Sequence, residues 1–195
     1  MAQVSRNPRP LFVTALPSAP SDGMEVYYQS TASGTGGGAS ATMESVGAVW
    51  HLRYRSASTS SYKWEFVGGS ALSSTDSGVQ VGPYTTVANT FNIMDNLIKV
   101  AAPLAGDYQC RVQSQMYGFG ASFTGMVGVK NNATNPAAGT DSSLFDSAAT
   151  TFSGVHHHEA FLTVATSGHV LTHVCATTVA QSLYRRNAKL LVTPI

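Results

Sequence analysis

The chain has 195 residues, room for one full β-sandwich plus a smaller module, and its 11 basic and 10 acidic residues leave a net charge of +1. Only 11% of the residues are charged while 43% are hydrophobic, which excludes a charge-rich disordered chain, and the scattered cations leave no electrostatic footprint for nucleic acid. Apolar runs last only a few residues, far below the ~20 needed to cross a bilayer, and the N-terminus has no sustained apolar segment. Neither membrane insertion nor an export signal is therefore expected. Cys110 and Cys175 are too few for a disulfide framework, which suits synthesis in a reducing cytoplasm and leaves open whether they bond to each other.

Residues 1–20 carry Pro8, Pro10, Pro17 and Pro20, each of which removes a backbone donor and disfavours helix before it. The expectation is an extended N-terminal arm whose apolar patch, Leu11, Phe12 and Val13, anchors on a partner. Asp22-Gly23 supplies a turn and Met24 to Tyr28 a short strand; the Gly/Ser-rich stretch from Ser30 to Thr42 reads as an exposed loop. Two alternating runs follow, VWHLRYR from Val49 and YKWEFVGG from Tyr62, and predict a β-hairpin. Alternation sets Trp50, Leu52 and Tyr54 against His51, Arg53 and Arg55, and sets Tyr62, Trp64 and Phe66 against Lys63 and Glu65. Residues 21–69 are thus expected to form a hairpin attachment module, and the small-residue segment 70–84 reads as a linker or a loosely held edge.

Residues 85–195 carry seven candidate strands at 85–91, 96–102, 108–117, 122–130, 157–164, 169–176 and 188–195. Turn signals separate them at 105–107, 131–140, 166–168 and 185–187, which is the pattern of an antiparallel β-sandwich. Residues 144–152 predict a short helical turn or an irregular strand. The fold expected is all-β: an arm and hairpin module followed by a jelly-roll or TNF-like sandwich.

The run LPSAPSDGMEVYYQ, continued by GAVWHLRYRSASTSSYKWEFVGG, resembles a module of tailed-bacteriophage virion surface proteins, with the pattern LPxxPxDGxEVxY and then VWHLRY…YKWEFVGG. From about residue 85, PLAGDYQCRV and the terminal KLLVTPI resemble the compact jelly-roll that follows it. The insertion at roughly residues 30–45 departs from the module. The resemblance implies a virion component, commonly trimeric, whose jelly-roll faces outward and whose N-terminal part attaches to the particle, either as a tail-tip or fibre protein or as a capsid decoration protein that stabilises the head shell. The partners implied are other copies of the chain, other tail or capsid proteins and, as a further class, a host cell-surface glycan.

Chemical motifs are sparse. His156 and His158 would share one strand face, two ligands per chain that become six around a three-fold axis, but no second-shell carboxylate stands at a predictable spacing, so no metal is assigned. His169 and His173 read as pH-sensitive packing or interface residues. The sequence has no GxSxG elbow, HExxH or Walker loop, and the GTGGG at 34–38 precedes neither a Lys-Ser/Thr pair nor a helix start. No catalytic residue and no cofactor are therefore assigned, and the expectation is a non-enzymatic protein. Trp50, Tyr54, Tyr62, Trp64 and Phe66 form either a platform for sugar rings or a buried core. The core reading is preferred, because a two-stranded ribbon must bury one face, here expected against a neighbouring subunit or the particle.

Overall fold

The computed structural model describes residues 10–31, 41–43, 48–58, 62–76, 81–85, 91, 98–119, 123–131, 134, 142–147, 151–180 and 182–195. Among these the protein is all-β, with no helix. The first half contains β1 (Leu11–Val13), β2 (Glu25–Gln29), β3 (Ala41–Met43), β4 (Val49–Tyr54), β5 (Trp64–Gly69), β6 (Leu72–Asp76) and β7 (Val81–Thr85). The second half contains β8 (Lys99–Ala101), β9 (Gly106–Phe119), β10 (Phe123–Asn131), β11 (Ser142–Ser147), β12 (Thr151–Val164), β13 (Val170–Thr177) and β14 (Ser182–Pro194). Three sheets result: β1-β2-β4-β5, then β11-β10-β13-β8, then β12-β9-β14-β6-β3 with β7 also paired to β14. Every pairing is antiparallel except that of β1 with β2.

Strict alternation builds the hairpin sheet. Val26 and Tyr28 of β2 pair with Leu52 and Trp50 of β4, and all four are buried, while Tyr27 and His51 pair on the opposite face. The hairpin is entered through a turn in which Met24 N–H donates to Ser21 O at 3.0 Å, with Gly23 at φ 78°. In β5 the register against β4 shifts, so that Trp50 faces Gly69 and Leu52 faces Phe66; Val67 is the extra residue of a bulge and points outward. At φ 138°, a Cβ on Gly69 would lie 2.5 Å from Val49 O, so glycine is what lets β5 close over the buried Trp50.

The other two sheets pack face to face. Tyr108, Cys110, Val112 and Met116 of β9 and Leu183, Leu190 and Val192 of β14 meet Val127 and Val129 of β10 and Leu171 and Cys175 of β13. Burial pushes the Cys110 thiol up to about 12, and both cysteines are unbonded. The hairpin is not a separate layer: Val26, Tyr28, Trp50 and Leu52 belong to the same core, with Trp50 and Tyr108 ring centroids 6.2 Å apart.

Three expectations change. Residues 70–84 are no linker, since β6 and β7 both pair with β14, and Leu72 and Ser74 are wholly buried. The segment 185–187 is not a chain reversal: β14 runs through it, with the register against β9 shifting between Arg186 and Lys189 and Asn187 at φ 53°. Leu11 to Val13 do not stand away from the fold, because they add a parallel edge strand to β2, and Val13 packs against the core. The expected strand at 85–91, the turn at 131–140, the loop glycines at 34–38 and the middle of 144–152 lie wholly or largely outside the described residues. Within that last segment, residues 144–147 belong to β11 and residues 151–152 to β12.

Candidate functional site

The hairpin aromatics come together but do not share one environment. Trp50 is 1% exposed, its indole N–H donating to Ser70 O at 2.9 Å, and Phe66 meets it edge-on at 6.0 Å. Their cover is the chain's own sandwich, where a neighbouring subunit or the particle had been expected. Tyr54 and Trp64 form a second edge-on pair, 5.4 Å apart and only partly buried. The Tyr62 hydroxyl donates to Val164 O at 3.0 Å and so ties the hairpin to the end of β12.

Where the hairpin leans on the sandwich a cleft opens, made of three hollows in series. The first, of about 360 Å³, has walls of Leu16, Tyr62, Lys63, Trp64, Leu104, Ala105 and Ser167. Tyr62, Trp64, Leu104 and Ala105 are shared with a narrower second hollow of about 100 Å³, which also reaches Ser58, Glu65, Phe66, Gly106 and Asp107. Asp107 is shared in turn with a third hollow of about 330 Å³ against Phe161, Leu162 and Thr163. The floor, Leu104 to Asp107, is fixed by Tyr108 OH donating to Leu104 O at 2.7 Å and by Ile195 N–H donating to Asp107 O at 3.0 Å.

Charged groups of both signs line this cleft. Asp107 accepts the Thr163 hydroxyl at 2.7 Å and Lys63 donates to Ser58 O, whereas Glu65 reaches the hollow from between Trp64 and Phe66 and turns its carboxylate to Arg55, 2.9 Å away on the opposite face. A carboxylate offers about four acceptor positions and an ammonium three donors, so each retains capacity for a ligand. The cleft provides rings, acceptors and a donor over an extended path, with no clustered charge.

Leu11, Phe12 and Val13 lie away from this cleft, on the far edge of the hairpin sheet. Leu11 is 57% and Phe12 68% exposed, and on the outer face Phe12 stacks on Tyr27 at 4.9 Å, which in turn meets His51 at 5.0 Å. Beside this ladder Glu25 takes hydrogen bonds from Arg53 (2.8 Å) and, at 3.0 Å, shares one with His51. These bonds hold its carboxyl below the usual carboxylate range.

The histidines separate as alternation requires. His156 and His158 turn toward the sandwich interior and His157 outward. Burial, with His157 beside it, lowers the pKa of His156. Among the described residues no three metal-binding side chains group together. His173 is wholly buried: its Nε2 lies 3.2 Å from Ser114 Oγ and its Nδ1 3.4 Å from Arg185 Nη1. A guanidinium only donates, so Nδ1 accepts and the proton sits on Nε2, giving a neutral imidazole. Desolvation first, and then Arg185, hold its pKa well below the ordinary value.

The cleft residues on the sandwich side, Leu104 to Asp107, Phe161 and Thr163, carried no functional assignment from sequence. A signal was present in Phe161, an apolar ring on the same strand face as His157 and Glu159.

No family model matches the chain and no curated protein matches it. Among solved structures it is similar to the xylan-binding CBM22-1 domain of Paenibacillus barcinonensis Xyn10C, at 9% identity over 91% of this chain and 99% of that one, TM-score 0.31. It is also similar to an arabinose-bound GH51 α-L-arabinofuranosidase, at 14% identity over 79% of this chain, TM-score 0.31. The chain spans about a quarter of that enzyme, 23% of its length. The class defined by the fold is an all-β, jelly-roll-like sandwich with an integrated hairpin sheet and a lateral cleft.

Proposed function

We propose that this chain is a non-enzymatic structural component of a tailed-phage virion, displayed on the particle surface as a homotrimer, of the tail-tip or fibre type and with a role in host attachment. The sequence pattern from Leu16 to Gly69 supports this reading. The structural observation that carries it is the exposed edge of the hairpin sheet, the outer ladder of Phe12 on Tyr27 on His51 together with Leu11 on the other face of β1, Phe12 and Leu11 being more than half exposed. An edge strand that holds two large apolar side chains in water is suited to a protein contact. A three-fold assembly closes such contacts among identical chains and leaves the sandwich and cleft outward.

The test is light scattering of the purified protein, with about three chains per particle expected. Leu11→Ser with Phe12→Ser spares the backbone pairing of β1 and is expected to give monomers with an unchanged β-sheet spectrum that no longer enter virions. A monodisperse wild-type monomer at micromolar concentration rejects the trimer, and normal entry of the double variant into particles rejects the ladder as the attachment surface.

A further inference from the structure

We infer that the cleft between the hairpin and the sandwich is a binding site for a neutral, linear oligosaccharide. The inference deepens the attachment role proposed above, yet it rests on the cleft alone. Three observations carry it. The hollows run in series through shared walls, Tyr62 and Trp64 between the first two and Asp107 between the last two, so the path suits a chain of units more than a single compact molecule. Aromatic rings stand along the path, Tyr62 and Trp64 where the first two hollows meet and Phe161, 65% exposed, in the third, with the small residues Ala105 and Gly106 between them. Rings present flat apolar area at low entropic cost, which matches the C–H face of a sugar ring.

The polar groups decide the class of ligand. Asp107 accepts, Lys63 donates, and each already holds one protein partner that fixes its position, while the Glu65 carboxylate leaves the opposite face of β5 to pair with Arg55. Sugar hydroxyls are donors and acceptors at once, so they use both kinds. An anionic chain would meet the Asp107 carboxylate where the second and third hollows join, and an apolar ligand would leave both charged groups, Asp107 and Lys63, desolvated without compensation. An extended peptide is also a chain, but its apolar side chains would meet those same charged groups.

The chain has two tryptophans; Trp50, 1% exposed, lines only the inner wall of the second hollow, so the emission of the more exposed Trp64 reports most directly on the cleft. The full-length protein is titrated with neutral linear hexasaccharides (glucan, xylan, mannan and galactan types), with their disaccharides, with hexagalacturonate and with a neutral hexapeptide. Saturable quenching or a spectral shift is expected with at least one neutral hexamer, which should bind more tightly than its dimer. Phe161→Ala, a change at an exposed position, should weaken that binding about five- to tenfold at unaltered thermal stability. Trp64→Phe keeps a ring in place and should leave only the smaller Trp50 part of the optical signal while calorimetry still detects the hexamer.

Absence of binding by every neutral hexamer at millimolar concentration overturns the inference. So does tighter binding of hexagalacturonate or of the peptide, or an affinity that Phe161→Ala leaves unchanged. None of these outcomes bears on trimer formation or particle entry, which the Leu11 and Phe12 variant reads separately.

Discussion

The two faces of β9 and β14 carry similar side chains under opposite conditions. On the inner face Ser114 and Arg185 meet His173 with no exposure at any of the three. On the outer face Arg111 of β9 pairs with Glu159 of β12 at 2.9 Å, their side chains 58% and 43% exposed, and Gln109 joins from 2.8 Å. Inside, every polar atom has lost its water, so the geometry of the trio dictates one tautomer and one register. Outside, water and salt screen the pair and hold the same kind of contact near break-even. Distance between atoms therefore says little about worth until burial is known.

The comparison is sharpened first where the inner face of β9 receives the hairpin. Trp50→Ala should cost about 3 to 5 kcal/mol in urea denaturation, since it empties a fully buried ring site between Tyr108, Phe66 and Tyr28. A loss below about 1 kcal/mol would mean that the hairpin is not part of the shared core.

The second measurement is stability against pH. The folded pKa of His173 is depressed, so below the unfolded value near 6.5 the unfolded chain takes up a proton that the folded chain refuses. Stability should be flat with respect to His173 above that value and fall below it, by at most about 1.4 kcal/mol per pH unit. His156 acts in the same sense, whereas Asp22, Glu25 and Glu159, all lowered, act only below the ordinary carboxylate range. His173→Gln, which can still accept from Arg185 and donate to Ser114, should reduce the slope between pH 6.5 and 5; an unaltered slope would assign it to another group. The smallest effect belongs to the outer face, where Glu159→Gln should leave the urea midpoint at pH 7 unchanged within error. A clear loss would show that the outer contacts count as the inner ones do.

Much of this was legible locally. The alternation of VWHLRYR placed Trp50 and Leu52 opposite His51 and Arg53, and the structure keeps that division because the side-chain period of a strand is set by its own backbone. Six of the seven expected sandwich strands coincide with β8, β9, β10, β12, β13 and β14 in part or whole. Segment 70–84 misled because Ser, Gly and Thr give a strand no hydrophobic signature, and β6 and β7 are specified by β14, at the opposite end of the chain. Arg185 to Asn187 misled for a related reason. The turn-forming tendency of Asn187 is spent on one left-handed residue in a bulge, while the ladder with β9 resumes at Lys189. The cleft was half visible: its rings on the hairpin side were named, but Leu104 to Asp107 join them only across a long-range contact.

The sequence by itself determined what depends on near neighbours: an all-β chain, the two faces of the hairpin and the shared face of His156 and His158. It also determined the short apolar patch at Leu11 to Val13. Tertiary structure alone decided which surface covers Trp50, that Leu11 to Val13 join the sheet through β2, that Arg185 and His173 meet in the core and that Phe161 and Trp64 line one cleft. The physical reason is that periodicity fixes the direction of a side chain relative to its own strand, while its partner is fixed by pairings between residues far apart in sequence, whose registers no local pattern encodes.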